Sequence, residues 1–188
     1  MLPVIGKVLE KLIAGRLRAL VNHHPLSSDR QFGFRPGKST EDALVELNRI
    51  VKETRCKYAV GLLFDTIGAF NNVWWPSILQ NLKERDCPRN LYGLIQSYLS
   101  GKKAEIVSST QEEVKLVTKG CPQGSVLGPL FWNLIFDEFV EDLRREENEA
   151  IAFADDLIVV IEANNRKGLE MNANDATRHC RNGARNKN

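Results

Sequence analysis

The sequence is poor in the features that mark membrane and secreted proteins. No apolar run approaches the roughly 20 residues that span a bilayer, and 27% of the 188 residues are charged. Lys7, Glu10 and Lys11 interrupt the N-terminal segment, which therefore lacks the apolar centre of a secretion signal. The four cysteines form no C-x-x-C pair, which disfavours a zinc site or a disulfide framework. We expect reduced thiols in an intracellular protein, with nucleus or cytoplasm unresolved.

The net charge is only +2, but the charges are unevenly distributed. Residues 1–60 carry 11 Lys/Arg against 6 Asp/Glu, residues 61–165 carry 9 against 16, and residues 166–188 carry 6 against 2. A basic flank beside an acidic middle suits a polyanion held next to a metal-binding carboxylate cluster. Ordinary surface charge is the alternative explanation of the same pattern.

Hydrophobic spacing and turn residues divide the chain, which is long enough for one domain with a core, into helices and strands. The helices are predicted over residues 4–21, 39–55, 76–84 and 88–99. A further helix is apolar and buried over 126–136 and turns acidic after 137, where it emerges, and a polar, poorly packed one begins at about 166. The strands are predicted over 58–64, 103–107, 113–117, 150–153 and 157–161.

The most informative segment is Phe153-Ala154-Asp155-Asp156, which joins two of these apolar strands. The short connection predicts a tight hairpin with both carboxylates near its tip. Adjacent carboxylates repel one another, and a hard divalent cation such as Mg²⁺, which takes oxygen ligands, would neutralise them. Because Asp is common in turns, a solvated turn is the alternative.

A third carboxylate, Asp65, ends the predicted strand 58–64. Strand ends of a common sheet can bring Asp65 close to Asp155 and Asp156. Three such carboxylates can hold two divalent ions about 3.5–4 Å apart, which is the arrangement for in-line displacement at phosphorus. In the alternative, Asp65 only terminates its strand.

Four segments occur in a fixed order: QFGFR at 31–35, FDTIGAF at 64–70, GCPQGSVLGP at 120–129 and FADD at 153–156. Together with LPVIGKVLEKL at 2–12 and NVWW at 72–75, this set resembles the reverse transcriptases of non-LTR (LINE-like) retrotransposons over roughly residues 2–170. The resemblance implies an α+β fold, a polymerase palm with an antiparallel sheet and helices packed on one face, plus part of the fingers. Within one partial domain, residues 1–188, the fingers portion would be about 1–57, the palm about 58–165 with a fingers-like insertion, and 166–188 a truncated C-terminal helix.

The resemblance also implies roles for single residues. Asp65, Asp155 and Asp156 match the catalytic aspartates that bind two Mg²⁺ ions, with Mn²⁺ as a substitute, and the backbone of Thr66 would lie beside one ion. The implied dNTP contacts are Phe70, Gln123 and Gly124, and the implied nucleic-acid contacts are Arg35 and Lys38. Phe70 would be the steric gate that excludes a 2′-hydroxyl, with a core aromatic as its alternative role.

The function implied is RNA-directed DNA synthesis, with an RNA template, a DNA primer and dNTPs as partners and no membrane; the oligomeric state stays open. The family's basic strand, lysine motif, thumb and endonuclease lie outside the matched region, so we expect a central piece of a polymerase. Asn71 and Ile67 depart from the family pattern at positions that are not metal ligands. The alternatives are an inert remnant with non-specific nucleic-acid binding and an RNA-dependent RNA polymerase, against which Phe70 argues.

Overall fold

A computed structural model describes residues 4–22, 24, 27–66, 68–107, 112–122, 124–145 and 148–186. The helices in these ranges are α1 (Val4–Asn22), α2 (Thr40–Glu53), α3 (Trp75–Glu84), α4 (Arg89–Leu99), α5 (Gly128–Arg145) and α6 (Arg166–Asn186). The strands are β1 (Tyr58–Phe64), β2 (Lys103–Val107), β3 (Glu112–Leu116), β4 (Glu149–Phe153) and β5 (Asp156–Ala163). A short 3₁₀ helix spans Ala69–Asn72.

Three strands form an antiparallel sheet in the order β1-β5-β4, and β2 and β3 form a separate hairpin. The strands β4 and β5 are a local hairpin, whereas β1 pairs with β5 across about a hundred residues, from Tyr58 opposite Ala163 to Phe64 opposite Leu157. The centre of the sheet is rich in β-branched residues, which favour a pleated surface that is buried on both faces.

The main core lies on one face of the sheet, against α5. Ala150 and Ala152 of β4 and Leu157, Val159 and Ile161 of β5 belong to this core. The middle of α5 is buried on all sides, as its apolar sequence predicts. Small alanines on β4 leave room for the large side chains of α5, among them Phe131 and Trp132.

The opposite face carries a second, smaller core. Ile151 and Val160, which alternate with the main-core residues, pack with Phe32 and with Ile50 of α2. The α+β class is confirmed, but the prediction of helices on one face is incomplete, because α2 covers part of the other. Near β1 that face is open, and Leu63 is 78% exposed.

Most predicted elements are confirmed to within one or two residues. The cap of α2 is the one predicted: the Asp42 amide donates to Ser39 Oγ and the Ser39 amide donates to Asp42 Oδ2. The prediction of a poorly packed final helix is wrong for one edge of α6, where Ala176 and Cys180 are buried. No helix in the described ranges is long and apolar enough to cross a membrane. The division into fingers and palm stays a prediction.

A buried ion pair joins the QFGFR segment, residues 31–35, to α5. Arg35 pairs with Asp137, and the side chains are 8% and 0% exposed. Burial raises the pKa of Asp137 to about 6, and the neighbouring Arg35 opposes this rise. The folded protein therefore binds more protons than the unfolded chain between about pH 4 and pH 6, and stability falls as the pH rises through that window.

Replacing Arg35 with Met should make the stability loss strongly dependent on pH. Without the guanidinium the pKa of Asp137 rises further, so the buried carboxylate is costliest at high pH, where the loss should reach ~3–5 kcal/mol. Urea unfolding at pH 5 and pH 8 measures the difference.

The control is Arg145→Met, which breaks an exposed ion pair with Asp142. It should change the free energy of unfolding by less than ~1 kcal/mol at both pH values. An equal loss at pH 5 and pH 8 for Arg35→Met would contradict the burial of an ionised pair.

Candidate active site

The predicted hairpin tip lies between β4 and β5. Phe153 pairs with Asp156, which leaves Ala154 and Asp155 as a two-residue turn. Ala154 has φ 59°, in the left-handed region that residues other than glycine seldom adopt. The Asp156 side chain is exposed and that of Asp155 is half-buried. A strained turn of this kind persists only where its surroundings hold it.

The third predicted carboxylate reaches the same edge of the sheet. Phe64 is opposite Leu157, so Asp65 follows β1 at the level where Asp156 begins β5. The hydroxyl of Thr66 donates to the carbonyl oxygen of Asp155 at 3.3 Å, which ties the end of β1 to the turn. The structure therefore brings the backbone at Asp65 and Thr66 to the sheet edge that carries Asp155 and Asp156, and their joint role as ligands stays a prediction.

The oxygen donors of this cluster are of the type that suits a hard divalent cation. Within the described ranges, no group of three or more His, Cys, Asp or Glu side chains is arranged to hold a metal ion. Mg²⁺ is commonly held by one or two carboxylates together with substrate phosphates. The cluster fits an ion shared with a substrate better than an ion enclosed by protein alone.

A buried amide side chain, that of Gln31, holds the hairpin tip on both sides. Its Oε1 accepts from the Ala154 amide at 3.1 Å, and its Nε2 donates to the Ala154 carbonyl at 3.1 Å. The same Oε1 accepts from the Gly33 amide at 2.8 Å. Gln31 is fully buried, so its partners replace water entirely. The sequence analysis assigned Gln31 no role, although a polar residue at the start of the apolar QFGFR segment could have indicated a buried hydrogen-bonding side chain.

Two further residues fix the same peptide. Trp132 Nε1 of α5 donates to the Ala154 carbonyl at 2.8 Å. A Cβ added to Gly33 would lie 2.0 Å from the Ala154 nitrogen, so only glycine allows this close approach. Beside them, the Phe32 amide donates to the Ala152 carbonyl at 2.8 Å, which extends the contact along β4. The segment 31–33 thus acts as a brace for the turn.

The glycine-rich loop is anchored beside the end of β1. The Cys121 amide donates to the Phe70 carbonyl and the Gly120 amide to the Val73 carbonyl, both at 2.8 Å. Trp75 Nε1 donates to the Gly120 carbonyl at 2.9 Å. Gln123, the predicted nucleotide contact, lies outside the described residues. Gly124 follows it with φ 78° and is exposed.

Phe70, the predicted steric gate, has a half-buried ring between two aromatic neighbours. Its ring centroid is 5.8 Å from that of Phe34, edge to face, and 6.1 Å from that of Trp132. Phe34 belongs to the QFGFR segment, and Trp132 holds the hairpin tip. Phe70 therefore packs against the core, as its alternative role predicts, and its role as a steric gate stays a prediction.

The two predicted nucleic-acid contacts have partners inside the protein. Arg35 is in the buried pair with Asp137. Lys38 Nζ donates to the carbonyls of Asp29 and Gln31 and lies 4.5 Å from the centroid of the Phe32 ring. Burial, helped by the charge of Arg35, lowers the pKa of Lys38. These contacts show a structural role, and a nucleic-acid contact by either residue stays a prediction.

The sequence comparisons decide the family. A sequence model of the family described as "Reverse transcriptase (RNA-dependent DNA polymerase)" matches residues 1–187. The chain belongs to the reverse transcriptase family. The segments brought together at the hairpin tip are thus reverse transcriptase motifs.

The relatives of this reverse transcriptase chain include non-LTR retrotransposon proteins, as the sequence predicts. It is 39% identical to the "Putative 115 kDa protein in type-1 retrotransposable element R1DM" of Drosophila melanogaster, over 90% of this chain and 16% of that protein. It is 42% identical to the "Retrovirus-related Pol polyprotein from type-1 retrotransposable element R1" of Bradysia coprophila, over 88% and 16%. It is also 31% identical to the "RNA-directed DNA polymerase from mobile element jockey" of Drosophila melanogaster, over 85% and 18%. The chain spans about a sixth of the length of these curated relatives.

Solved structures similar to this reverse transcriptase chain include telomerases. Telomerase from Candida tropicalis, in complex with a fragment of telomeric RNA, gives a TM-score of 0.64 at 12% identity, over 92% of this chain and 30% of that chain. Telomerase from Candida albicans gives 0.62 at 10% identity, over 89% and 32%. At these identities the likeness concerns the fold alone.

The close approach of Gly33 to the turn gives a sharp test of the brace. Gly33→Ala places a methyl group against the Ala154 backbone and should lower the free energy of unfolding by more than ~2 kcal/mol, since backbone on both sides must move. Chemical denaturation measures the loss. Gly15→Ala is the matched control: it lies in α1 with open space around it and should be stabilising by ~0.5–1 kcal/mol. Similar stabilities for the two variants would contradict the close approach.

Proposed function

We propose that this chain carries the catalytic carboxylates of an RNA-directed DNA polymerase. In the reaction, the primer 3′-hydroxyl attacks the α-phosphorus of a dNTP, a new P–O bond forms, and the bond to the β-phosphate oxygen breaks to release pyrophosphate. The observation that carries the proposal is the junction of β1 with the β4–β5 turn, where the Thr66 hydroxyl donates to Asp155. The strand register, in which Phe64 is opposite Leu157, supports a position for Asp65 at the level of Asp156.

The carboxylates of Asp65, Asp155 and Asp156 supply negative oxygen ligands at an edge that is open to a substrate. Mg²⁺ held there would neutralise phosphate charge and lower the pKa of the attacking hydroxyl. Gln31 and Trp132 orient the turn through three bonds to Ala154, so the position of Asp155 is set before the substrate arrives. Two hydrogen bonds hold the glycine-rich loop next to Phe70 and Val73, near the place proposed for the dNTP.

The polymer partners proposed are an RNA template and a DNA primer. The structural likeness to telomerase, one example of which is described as a complex with telomeric RNA, supports a nucleic-acid role. The sheet face that carries Leu63 remains open near β1 in the described structure, with Leu63 exposed two residues before Asp65. That face offers the space that a primer end would need next to the carboxylates.

Primer extension on poly(rA)/oligo(dT) with Mg²⁺ and dTTP tests the proposal. Asp155→Asn should reduce extension to background because it removes a ligand charge without changing the size of the side chain. The control, Asp142→Asn, removes an exposed carboxylate of α5 and should extend like the parent. Extension by Asp155→Asn at the parental rate would sink the assignment. Silence of a folded parent would favour the inert remnant that binds nucleic acid non-specifically.

A second test concerns the sugar selectivity of Phe70. Phe70→Val replaces the ring that would lie under the sugar by a smaller side chain. The ratio of rUTP to dTTP incorporation should therefore rise by about tenfold or more, because the side chain no longer excludes the 2′-hydroxyl. Phe139→Val trims another half-buried aromatic, on α5, and should leave the ratio unchanged. An unchanged ratio for Phe70→Val would assign the ring to packing alone.

A further inference from the structure

Glu10 is a buried carboxylate that the proposed chemistry does not use. It is the only acidic residue of α1, and it is 0% exposed. It lies on the buried face of the helix, in line with Ile13, Ala14 and Leu17, which belong to the main core. Burying a carboxylate among apolar side chains is costly unless hydrogen bonds replace its water. Its partners therefore indicate what it holds.

Three donors from distant parts of the chain converge on this carboxylate. The Tyr98 hydroxyl, from α4, and the Ser125 hydroxyl donate to Oε1, the latter at 3.0 Å. The Val126 amide donates to Oε2 at 2.6 Å. Two of the three donors thus belong to the segment that leads into α5, immediately after the glycine-rich loop.

Ser125 passes this restraint on to its neighbours. Its Oγ accepts from the amides of Leu127 and Gly128 at 3.2 and 3.1 Å, which caps the start of α5. Its own amide donates to the Pro122 carbonyl at 3.0 Å. The negative charge of Glu10 also lies near the positive end of the α5 dipole.

The glycine-rich loop is consequently fixed at two points. Its beginning is held by the carbonyls of Phe70 and Val73, and its end is held by Glu10. Residues 122–124, between these two points, contain the position that the family resemblance assigns to the incoming nucleotide.

We infer that Glu10 is a positioning residue that fixes the end of the glycine-rich loop, at Ser125 and Val126, for nucleotide binding. It touches no reacting group, and it acts through Ser125 and Val126. This inference rests on the proposed function for the identity of the ligand, a dNTP. The restraint of the loop is independent of that function, because the hydrogen bonds show it directly.

Three variants separate positioning from general stability. Glu10→Leu keeps the volume of the side chain but accepts no hydrogen bond, and Glu10→Gln keeps one acceptor oxygen. Tyr98→Phe is the matched control, because it removes one bond to Glu10 and leaves both bonds to the loop intact. Amide hydrogen exchange and steady-state extension with varied dTTP are measured on each.

Exchange at the Val126 amide should accelerate by ~10-fold or more in Glu10→Leu, the effect of losing one charge-assisted bond. It should change less in Glu10→Gln and by less than ~2-fold in Tyr98→Phe, where the bond remains. KM for dTTP should rise by ~10-fold in Glu10→Leu, less in Glu10→Gln and least in Tyr98→Phe. The value of kcat should change little, because a displaced loop weakens nucleotide binding more than it alters the chemical step.

Unchanged exchange at Val126 in Glu10→Leu would overturn the inference, as would a rise in KM of equal size in Tyr98→Phe. Faster exchange with an unchanged KM would also overturn it, because the loop would then move without consequence for the nucleotide. A folded parent that extends no primer would count against the proposed function alone, since the exchange experiment needs no catalysis.

Discussion

The hydrogen bonds of one buried amide side chain, that of Gln31, underlie the arrangement of the whole site. An alanine at φ 59° is a strained residue, and a two-residue turn has too few contacts of its own to enforce that conformation. Gln31 is hydrogen-bonded to both the amide and the carbonyl of Ala154, and Trp132 donates a second hydrogen bond to the same carbonyl. Because all three hydrogen bonds are buried, loosening the turn would leave these polar groups with neither a protein partner nor water, which costs free energy.

The same physical device recurs elsewhere in the molecule. A polar group is buried, and its partners come from segments far apart in the sequence. Arg35 with Asp137 ties the QFGFR region to α5, and Glu10 ties α1 to the entrance of the same helix. Each tie is strong mainly because breaking it strands a charge in the interior. The helix α5 is thus bonded to the hairpin turn, to the QFGFR region and to the end of the glycine-rich loop, and it sets their relative positions.

The sequence predicted the elements well because most of them have strong local signals. The cap at Ser39, the β-branched run of β5 and the uniformly apolar helix α5 each depend on neighbours in the chain. The carboxylate cluster was predictable because strand ends meet at sheet edges. The cover of the second face by α2 was missed, since no local pattern shows which side of a sheet a helix will occupy.

The supporting residues of the site were harder to predict for a related reason. Gln31 and Glu10 act on peptides 123 and 116 residues away in the sequence, and Trp132 acts on one 22 residues away. A glutamine or glutamate in an apolar neighbourhood is unusual, but the sequence alone does not name its partner. Arg35 was predicted to contact nucleic acid, which stays a prediction, and the structure shows a buried carboxylate partner that was not foreseen. Charge alone could not distinguish these two environments.

The strand pairing described for the sheet sets the order in which the site can assemble. The β4–β5 hairpin closes locally and needs little loop entropy, whereas pairing of β1 with β5 closes a loop of about a hundred residues. The hairpin strands can therefore pair early in folding, but the turn that carries Asp155 is held only once Gln31 and Trp132 pack against Ala154, and Asp65 joins when β1 docks. During synthesis, β1 leaves the ribosome long before its partner exists. In the interval its apolar residues have no partner strand, and such transiently exposed surface is prone to aggregation.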